Sequence, residues 1–164
     1  MLSNDKVVLD NLTLEDAVFF YKLYTHPEMT VNFDESPFTL NESSTEFTER
    51  IISLCQYIFT IRPTEQPDLI IGDCALHHWN QQKKEIEIGG SLLPEYWGKG
   101  YMQSAFELLT IIAKQELGVK TLLGKTKTRN LKAIRLAEKM GFKKHRSDNL
   151  DTILIKDISQ LKLP

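Results

Sequence analysis

The stretch Pro94-Glu95-Tyr96-Trp97-Gly98-Lys99-Gly100-Tyr101-Met102 joins an apolar, strand-like segment to the start of a long amphipathic helix, and this junction constrains the chain more than any other part. Gly98 and Gly100 lack a Cβ, so the backbone is free to adopt unusual dihedrals there and to lie close against a ligand with its amides pointing outward. The first turn of the following helix adds unpaired N–H groups and the positive end of the helix dipole, a combination suited to phosphate or pyrophosphate. Lys99 contributes a full positive charge.

Around this junction the pattern predicts an α/β (α+β) architecture. A short strand at Val7, Val8 and Leu9 leads to a helix capped by Thr13 and running to about Thr25, with Val18, Phe19, Leu23 and Tyr24 as its buried face and Pro27 as its stop. Residues 31–40, with Asp34, Ser36 and Pro37, read as a loop, after which Asn41 is the expected cap of a second helix reaching Cys55. Glu42, Glu46 and Glu49 make one side of that helix acidic. Strands are predicted over 56–61, 69–76 and 85–93, separated by turns at 62–68 and 80–83, which gives three successive antiparallel strands. The order then becomes helix (100–117), strand (121–126), helix capped by Asn130, and a last strand near 152–155. Gly118 and Gly141 stand at the C′ positions of the two late helices. The expected sum is a mixed, largely antiparallel sheet with four main helices.

Composition narrows the function classes. The 164 residues are 41% hydrophobic and 26% charged, which fits one domain spanning 1–164 with room for a core. A net charge of -2 supplies no global drive toward nucleic acid or anionic membrane. No apolar run approaches the roughly 20 residues of a membrane span, and the first residues lack a secretory apolar region, so a cytoplasmic location is expected. Cys55 and Cys74 form neither a disulfide framework nor a CxxC pair and read as small apolar residues.

Two segments carry a family resemblance. Glu87-Ile88-Gly89 through Leu92-Leu93-Pro94-Glu95-Tyr96-Trp97-Gly98-Lys99-Gly100-Tyr101-Met102, and Asn130-Leu131-Lys132-Ala133-Ile134-Arg135 with Glu138-Lys139-Met140-Gly141-Phe142, together resemble the GNAT acyltransferase superfamily, in particular its branch that acetylates N-terminal amines of ribosomal proteins. The match covers roughly residues 85–143. The resemblance implies an acyl-CoA N-acyltransferase fold, acetyl-CoA as co-substrate and an amine as acceptor. It further implies that the strand before the loop splays from its neighbour, leaving main-chain groups at Leu92 and Leu93 for the pantetheine arm. The pyrophosphate would rest on the amides of Trp97, Gly98, Lys99, Gly100, Tyr101 and Met102, with Asn130 near the pantetheine or the sulfur. Trp97 and Met102 depart from the family pattern, which begins that loop with Gln or Arg and ends it with a small residue. Ala137 stands where many members carry a Tyr that protonates the leaving thiolate.

The simplest chemistry for a thioester and an amine is direct attack, with no covalent enzyme intermediate and a backbone amide near Leu92 or Leu93 stabilising the oxyanion. An α-amino group, with a reference pKa of about 7.7 to 8.0, is partly neutral near pH 7.5 and needs little more than removal of one proton. Glu87 is the first candidate base, acting directly or through water, and Glu85, two residues away on the same strand face, is the second. His77 and His78 are adjacent, so alternation sends them to opposite faces and only one reaches the acceptor cleft.

Other readings are weaker. Gly124-Lys125-Thr126 imitates the end of a P-loop, but the earlier glycine, Gly118, is one place too far and the triplet lies in a strand. His77, His78 and Cys74 offer no spacing for a tetrahedral zinc set, and no metal is expected. The basic run Lys125, Lys127, Arg129, Lys132, Arg135 and Lys139 fits an exposed surface or the CoA phosphates better than nucleic acid. Within the enzyme class the alternative acceptor is a small-molecule amine of polyamine or aminoglycoside type. Outside it, the alternative is a non-catalytic CoA-binding module. The chain is expected to act as a monomer or homodimer.

Overall fold

Alternating apolar residues build a sheet whose strands among the described residues are β1 (Leu2–Ser3), β2 (Val7–Asn11), β3 (Cys55–Pro63), β4 (Gly72–Asn80), β5 (Glu85–Leu92), β6 (Thr121–Lys127), β7 (Lys143–Ser147) and β8 (Asp151–Asp157). The computed structural model describes every residue except Phe33, Asp34 and Glu35. The part of the expected 31–40 loop that contains Asp34 therefore lies outside the described residues.

The strand order is β1-β2-β3-β4-β5-β6-β8-β7. All neighbours are antiparallel except β5 and β6, which run parallel. That single parallel pair demands a crossover, and α4 (Tyr101–Leu117) supplies it. The other helices are α1 (Ala17–Thr25), a four-residue α2 (Pro27–Thr30), α3 (Ser44–Leu54) and α5 (Leu131–Lys139). The architecture is the mixed, mainly antiparallel α/β sheet that the sequence predicts.

One face of the sheet buries Leu9, Ile61, Cys74, Leu76, Ile86 and Ile88 against Ala105, Leu109, Ile112 and Ala113 of α4. The opposite face carries a second, smaller core in which Leu12, Ile58 and Ala75 meet Phe20 of α1 and Phe47 of α3. Aromatic rings fill it, with Phe20 and Phe47 stacked at 5.2 Å and Tyr24 edge-on to Phe20 at 4.9 Å. The cavity described below opens beside this second core.

Several local expectations change. In α1 the buried residues are Ala17, Phe20 and Leu23, while Val18 is 63% exposed. The cause is a 3-10 turn at Leu14–Asp16 that rotates the register before α1 begins. The cap of α3 is Ser43 rather than Asn41: its hydroxyl accepts from the Glu46 amide at 3.1 Å and Glu46 reciprocates to the Ser43 amide at 2.8 Å. Asn41 instead sits at a φ of 60° before the helix. Glu42 also precedes α3 and is clamped by Arg50 at 2.7 and 2.8 Å, so the acidic face has lost one of its three members. In α5, Leu131 is exposed and Ile134 alone is buried. Strand β7 was not foreseen, because Lys143–Ser147 is polar throughout and exposed along its length.

Candidate active site

Strands β5 and β6 pair only over Glu85–Thr121, Ile86–Leu122 and Glu87–Leu123. Beyond Glu87, β5 keeps β4 as its neighbour up to Leu92, while β6 continues with β8. The two parallel strands therefore diverge, and the edge of β5 from Ile88 to Ser91 has no strand partner on that side among the described residues. The divergence opens directly toward the glycine loop.

The loop has the geometry its sequence demands. Gly98 and Gly100 take φ values of 71° and 83°, in the left-handed region. The amides of residues 98–103 make no hydrogen bond among the described residues; the first bond of α4 is Ser104 N–H to the Gly100 carbonyl at 3.1 Å. They form a crown of unbonded donors at the positive end of a 17-residue helix. Three cations gather round it. Lys99 lies over the Tyr96 ring at 5.6 Å, Lys132 of α5 over the Trp97 ring at 5.4 Å, and Lys6 over the Tyr101 ring at 5.4 Å. Lys6 has no sequence signal tying it to residues so distant in the chain; the β1–β2 turn brings it there.

Both departures in this loop have structural partners. The Trp97 indole N–H donates to the Leu92 carbonyl at 2.9 Å. Met102 occupies the hollow over Gly90, where an added Cβ would stand 3.0 Å from its sulfur. The expectation that Leu92 and Leu93 present free main-chain groups is narrowed, because three of their four main-chain groups have partners. The Leu92 carbonyl is taken by Trp97, the Leu93 amide donates to the Ile71 carbonyl and the Leu93 carbonyl accepts from Tyr96. The unpaired edge lies slightly earlier, at Ile88 to Ser91.

On the acceptor side, β4 and β5 place three pairs on one face: His77 opposite Glu87, Ala75 opposite Gly89, and Asp73 opposite Ser91. Small residues in the middle leave a cavity of about 210 Å³, lined by Tyr24 of α1, Ile51 and Leu54 of α3, Cys55, Ile58, Asp73, Ala75, His77, His78, Gly89 and Gly90. Polar groups close both ends.

At one end a bulge reverses the expected alternation. His78 has a φ of 53°, and the β4–β5 register slips between His77 and Asn80. Both imidazoles therefore turn toward Glu87. His78 Nδ1 lies 2.7 Å from Glu87 Oε2 and 3.0 Å from His77 Nδ1, with His77 Nδ1 3.8 Å from the same oxygen. Burial lowers the His77 pKa below its ordinary 6.5, against the raising effect of Glu87. His77, not Glu87, lines the cavity, and its Nε2 leans over Gly89. The three side chains also form a compact set of potential metal ligands. Cys74, once grouped with the histidines, faces the opposite core. Glu85 shares the Glu87 face but joins neither this cluster nor the cavity lining.

At the other end stands Asp73, 3% exposed. The Tyr24 hydroxyl reaches it at 3.4 and 3.5 Å, and burial pushes its carboxyl up from 3.8 to about 7. Asp73 did not stand out in the sequence and Tyr24 read only as part of the buried face of α1, because their meeting depends on how α1 packs over β4.

Asn130 acts as the cap of α5, its Oδ1 accepting from the Ala133 amide at 3.2 Å. The basic run divides: Lys127 pairs with Asp151 at 2.9 Å, Arg129 donates to the Val31 carbonyl at 3.0 Å, and Lys132 reaches the loop. Gly124, Lys125 and Thr126 lie in β6 with partners in β8, which leaves no P-loop. No helix among the described residues is long and apolar enough to cross a membrane.

Residues 6–143 match the family model described as an acetyltransferase (GNAT) domain. An uncharacterized N-acetyltransferase p20 of Bacillus licheniformis is 24% identical over 149 residues, covering 87% of this chain and 82% of the relative. The uncharacterized N-acetyltransferase YoaA of Bacillus subtilis is 25% identical over 147 residues, covering 88% and 83%. Among solved structures, a GNAT-family acetyltransferase from Bacillus anthracis superposes with a TM-score of 0.77 at 16% identity, covering 94% of this chain and 96% of that one. Spermidine N-acetyltransferase from Vibrio cholerae, in complex with CoA and spermine, superposes with a TM-score of 0.76 at 18% identity and the same coverage.

Proposed function

Because this chain belongs to the GNAT acetyltransferase family, and is thus an acetyl-CoA-dependent N-acetyltransferase, we propose that the cavity between β4, β5, α1 and α3 receives a small primary amine and that acetyl-CoA lies in the β5–β6 divergence. The observation that carries this reading is that the divergent end of β5 runs into a loop whose amides at residues 98–103 are unbonded, with Trp97 held to Leu92 and Met102 seated over Gly90. One feature suits an acyl-pantetheine arm, the other a pyrophosphate.

In the proposed reaction the neutral amine nitrogen attacks the thioester carbon, a C–N bond forms, and the C–S bond breaks as the tetrahedral intermediate collapses. His77 takes the proton released by the amine. Its depressed pKa keeps it neutral, and so able to accept, near pH 7. Glu87, hydrogen-bonded to His78 and close to His77, stabilises the resulting imidazolium and acts through the ring rather than on the substrate. Glu85 has no part in this scheme. Ala137 has no hydroxyl to offer the sulfur, so CoA departs as a thiolate or takes its proton from water. The unpaired β5 edge at Gly90 supports a backbone role for the pantetheine or the oxyanion. Leu92, Leu93 and Asn130 would act chiefly by shaping the loop and α5.

The resemblance of residues 85–143 to acetyltransferases of ribosomal-protein N-termini supports a second acceptor, a protein N-terminal amine. The limited volume and buried carboxylate of the cavity favour the small amine. The activity is assigned to one domain spanning residues 1–164, acting in the cytoplasm, where the free thiols of Cys55 and Cys74 would remain reduced.

Thermal unfolding with acetyl-CoA, CoA, ATP and NAD tests the cofactor assignment. A ligand at about 100 times its dissociation constant adds roughly 2.7 kcal/mol of stability. Stabilisation by acetyl-CoA and CoA alone is expected; stabilisation by ATP alone would overturn the assignment.

A further inference from the structure

We propose that Asp73 is the acceptor-specificity residue of this cavity, holding a second, non-reacting ammonium group, so that the acceptor is a diamine or longer polyamine rather than a simple monoamine. The inference rests on the acetyltransferase reading above and adds to it the charge pattern of the acceptor.

Asp73 belongs to the same strand face as His77, with only Ala75 between them. At about 3.3 Å per residue the two backbones stand roughly 13 Å apart along β4. One cavity touches both side chains. An amine reacting beside His77 and Gly89 can therefore extend its chain over Ala75 toward Asp73, past the apolar walls of Ile51, Leu54 and Ile58.

The chemistry of Asp73 asks for a cation. A carboxylate this buried is costly unless paired or fully hydrogen-bonded. Its side-chain partner among the described residues is the Tyr24 hydroxyl, at the long end of hydrogen-bond range. The other polar groups around it bring no compensating charge. Cys55 stands at the start of β3 and Cys74 on its own strand, both with thiols pushed up by burial and by Asp73 itself. Thr60, opposite Asp73 on β3, spends its hydroxyl on the Asp10 carbonyl. Arg62, the cation nearest in register, donates through Nε to that Thr60 hydroxyl at 3.1 Å and through its terminal nitrogens faces Asp16 and the Pro67 carbonyl, without reaching the Asp73 carboxyl. On β5, Ser91 touches Tyr24. At the far end of the cavity stand His77, His78 and Glu87. An ammonium entering from solvent would supply the missing charge, while the aliphatic chain behind it covers the apolar wall.

The experiment has two arms, each with putrescine and pentylamine as probes. In the first, initial rates of acetylation are measured for the enzyme and for Asp73→Asn. The native protein should prefer putrescine in kcat/KM on the order of a hundredfold, and the variant should lose that preference mainly through KM. Equal rates for the two amines in the native protein, or a preference retained by the variant, would overturn the role of Asp73 while leaving the acetyltransferase reading intact. In the second arm, putrescine is titrated by calorimetry into the CoA-loaded protein in two buffers of different ionisation enthalpy. Near about pH 7 the native protein should release more protons on binding than Asp73→Asn, since the second ammonium displaces the carboxyl proton in addition to the proton shed by the reacting amine; equal release from the two proteins, or no binding, contradicts the inference. This arm decides the matter even where neither amine is acetylated, an outcome that would count against the proposed reaction instead. Retained acetyl-CoA binding by Asp73→Asn confirms that the variant is folded.

Discussion

The indole N–H of Trp97 donates to the carbonyl of Leu92 at 2.9 Å and so fastens the glycine loop to the last residue of β5. The family's usual polar residue at the start of that loop is replaced here by an aromatic one that works on the protein's own backbone, with Lys132 lying over its ring. Replacing Trp97 by Phe keeps the ring and removes the donor. Loss of about 1 kcal/mol of loop anchoring should weaken acetyl-CoA binding about threefold to tenfold by calorimetry. An unchanged affinity would show that the loop holds its shape without this bond.

Gly100 makes a sharper prediction. Its φ of 83° is open to glycine but costs an L-residue roughly 1 to 2 kcal/mol. A Cβ there would meet only the flexible end of Lys6, at 3.4 Å, so sterics with neighbours are minor. Gly100→Ala should therefore lower stability by about 1 kcal/mol and reduce acetyl-CoA affinity as the amides tilt. Chemical denaturation and calorimetry read the two effects separately.

The acid–base assignment is tested by pH. Glu87 raises the His77 pKa while burial lowers it more. Glu87→Gln removes the raising effect, so the acid limb of the kcat/KM profile should shift to lower pH. The plateau should fall by roughly tenfold to a hundredfold because the base is weaker. Acetyl-CoA affinity should hold. A profile that does not move would sink the proposed role of Glu87.

Asp73 carries a stability signature of its own. Its folded carboxyl sits at about 7 against an ordinary 3.8, so the folded state binds this proton more tightly than the unfolded one. The contribution to stability is therefore fully present below about pH 4, falls as pH rises through about pH 7, and is then lost. About three pKa units correspond to roughly 4 kcal/mol as an order of magnitude. Asp73→Asn should be more stable than the native protein at about pH 8 and should flatten this pH dependence. Denaturant midpoints across the range would contradict the assignment if the two proteins ran parallel.

Parts of this arrangement were legible in the chain. Period-3.6 apolar spacing and two terminal glycines defined α4, and the glycine loop before it announced its own left-handed backbone. The Ser43-x-x-Glu46 pattern was equally readable and should have taken precedence over Asn41 as the cap of α3. Other parts were hidden for physical reasons. Strand β7 exists because β8 offers it an edge, not because Lys143–Ser147 has an apolar face. The bulge that turns His78 beside His77 places a non-glycine residue at positive φ, a conformation the neighbouring residues do not signal. Asp73 gains its character only when Tyr24 and α3 close over it. Lys6 reaches the loop only through the sheet.

Acetyl transfer itself is the central claim, and mass spectrometry of amine panels after incubation with acetyl-CoA tests it most directly. Small primary amines, polyamines foremost, should each gain one acetyl group as CoA is released, with the rate collapsing in Glu87→Gln. Acetyl-CoA that binds at the loop yet acetylates neither small amines nor peptide N-termini would contradict it, and would make this fold a CoA-binding module instead.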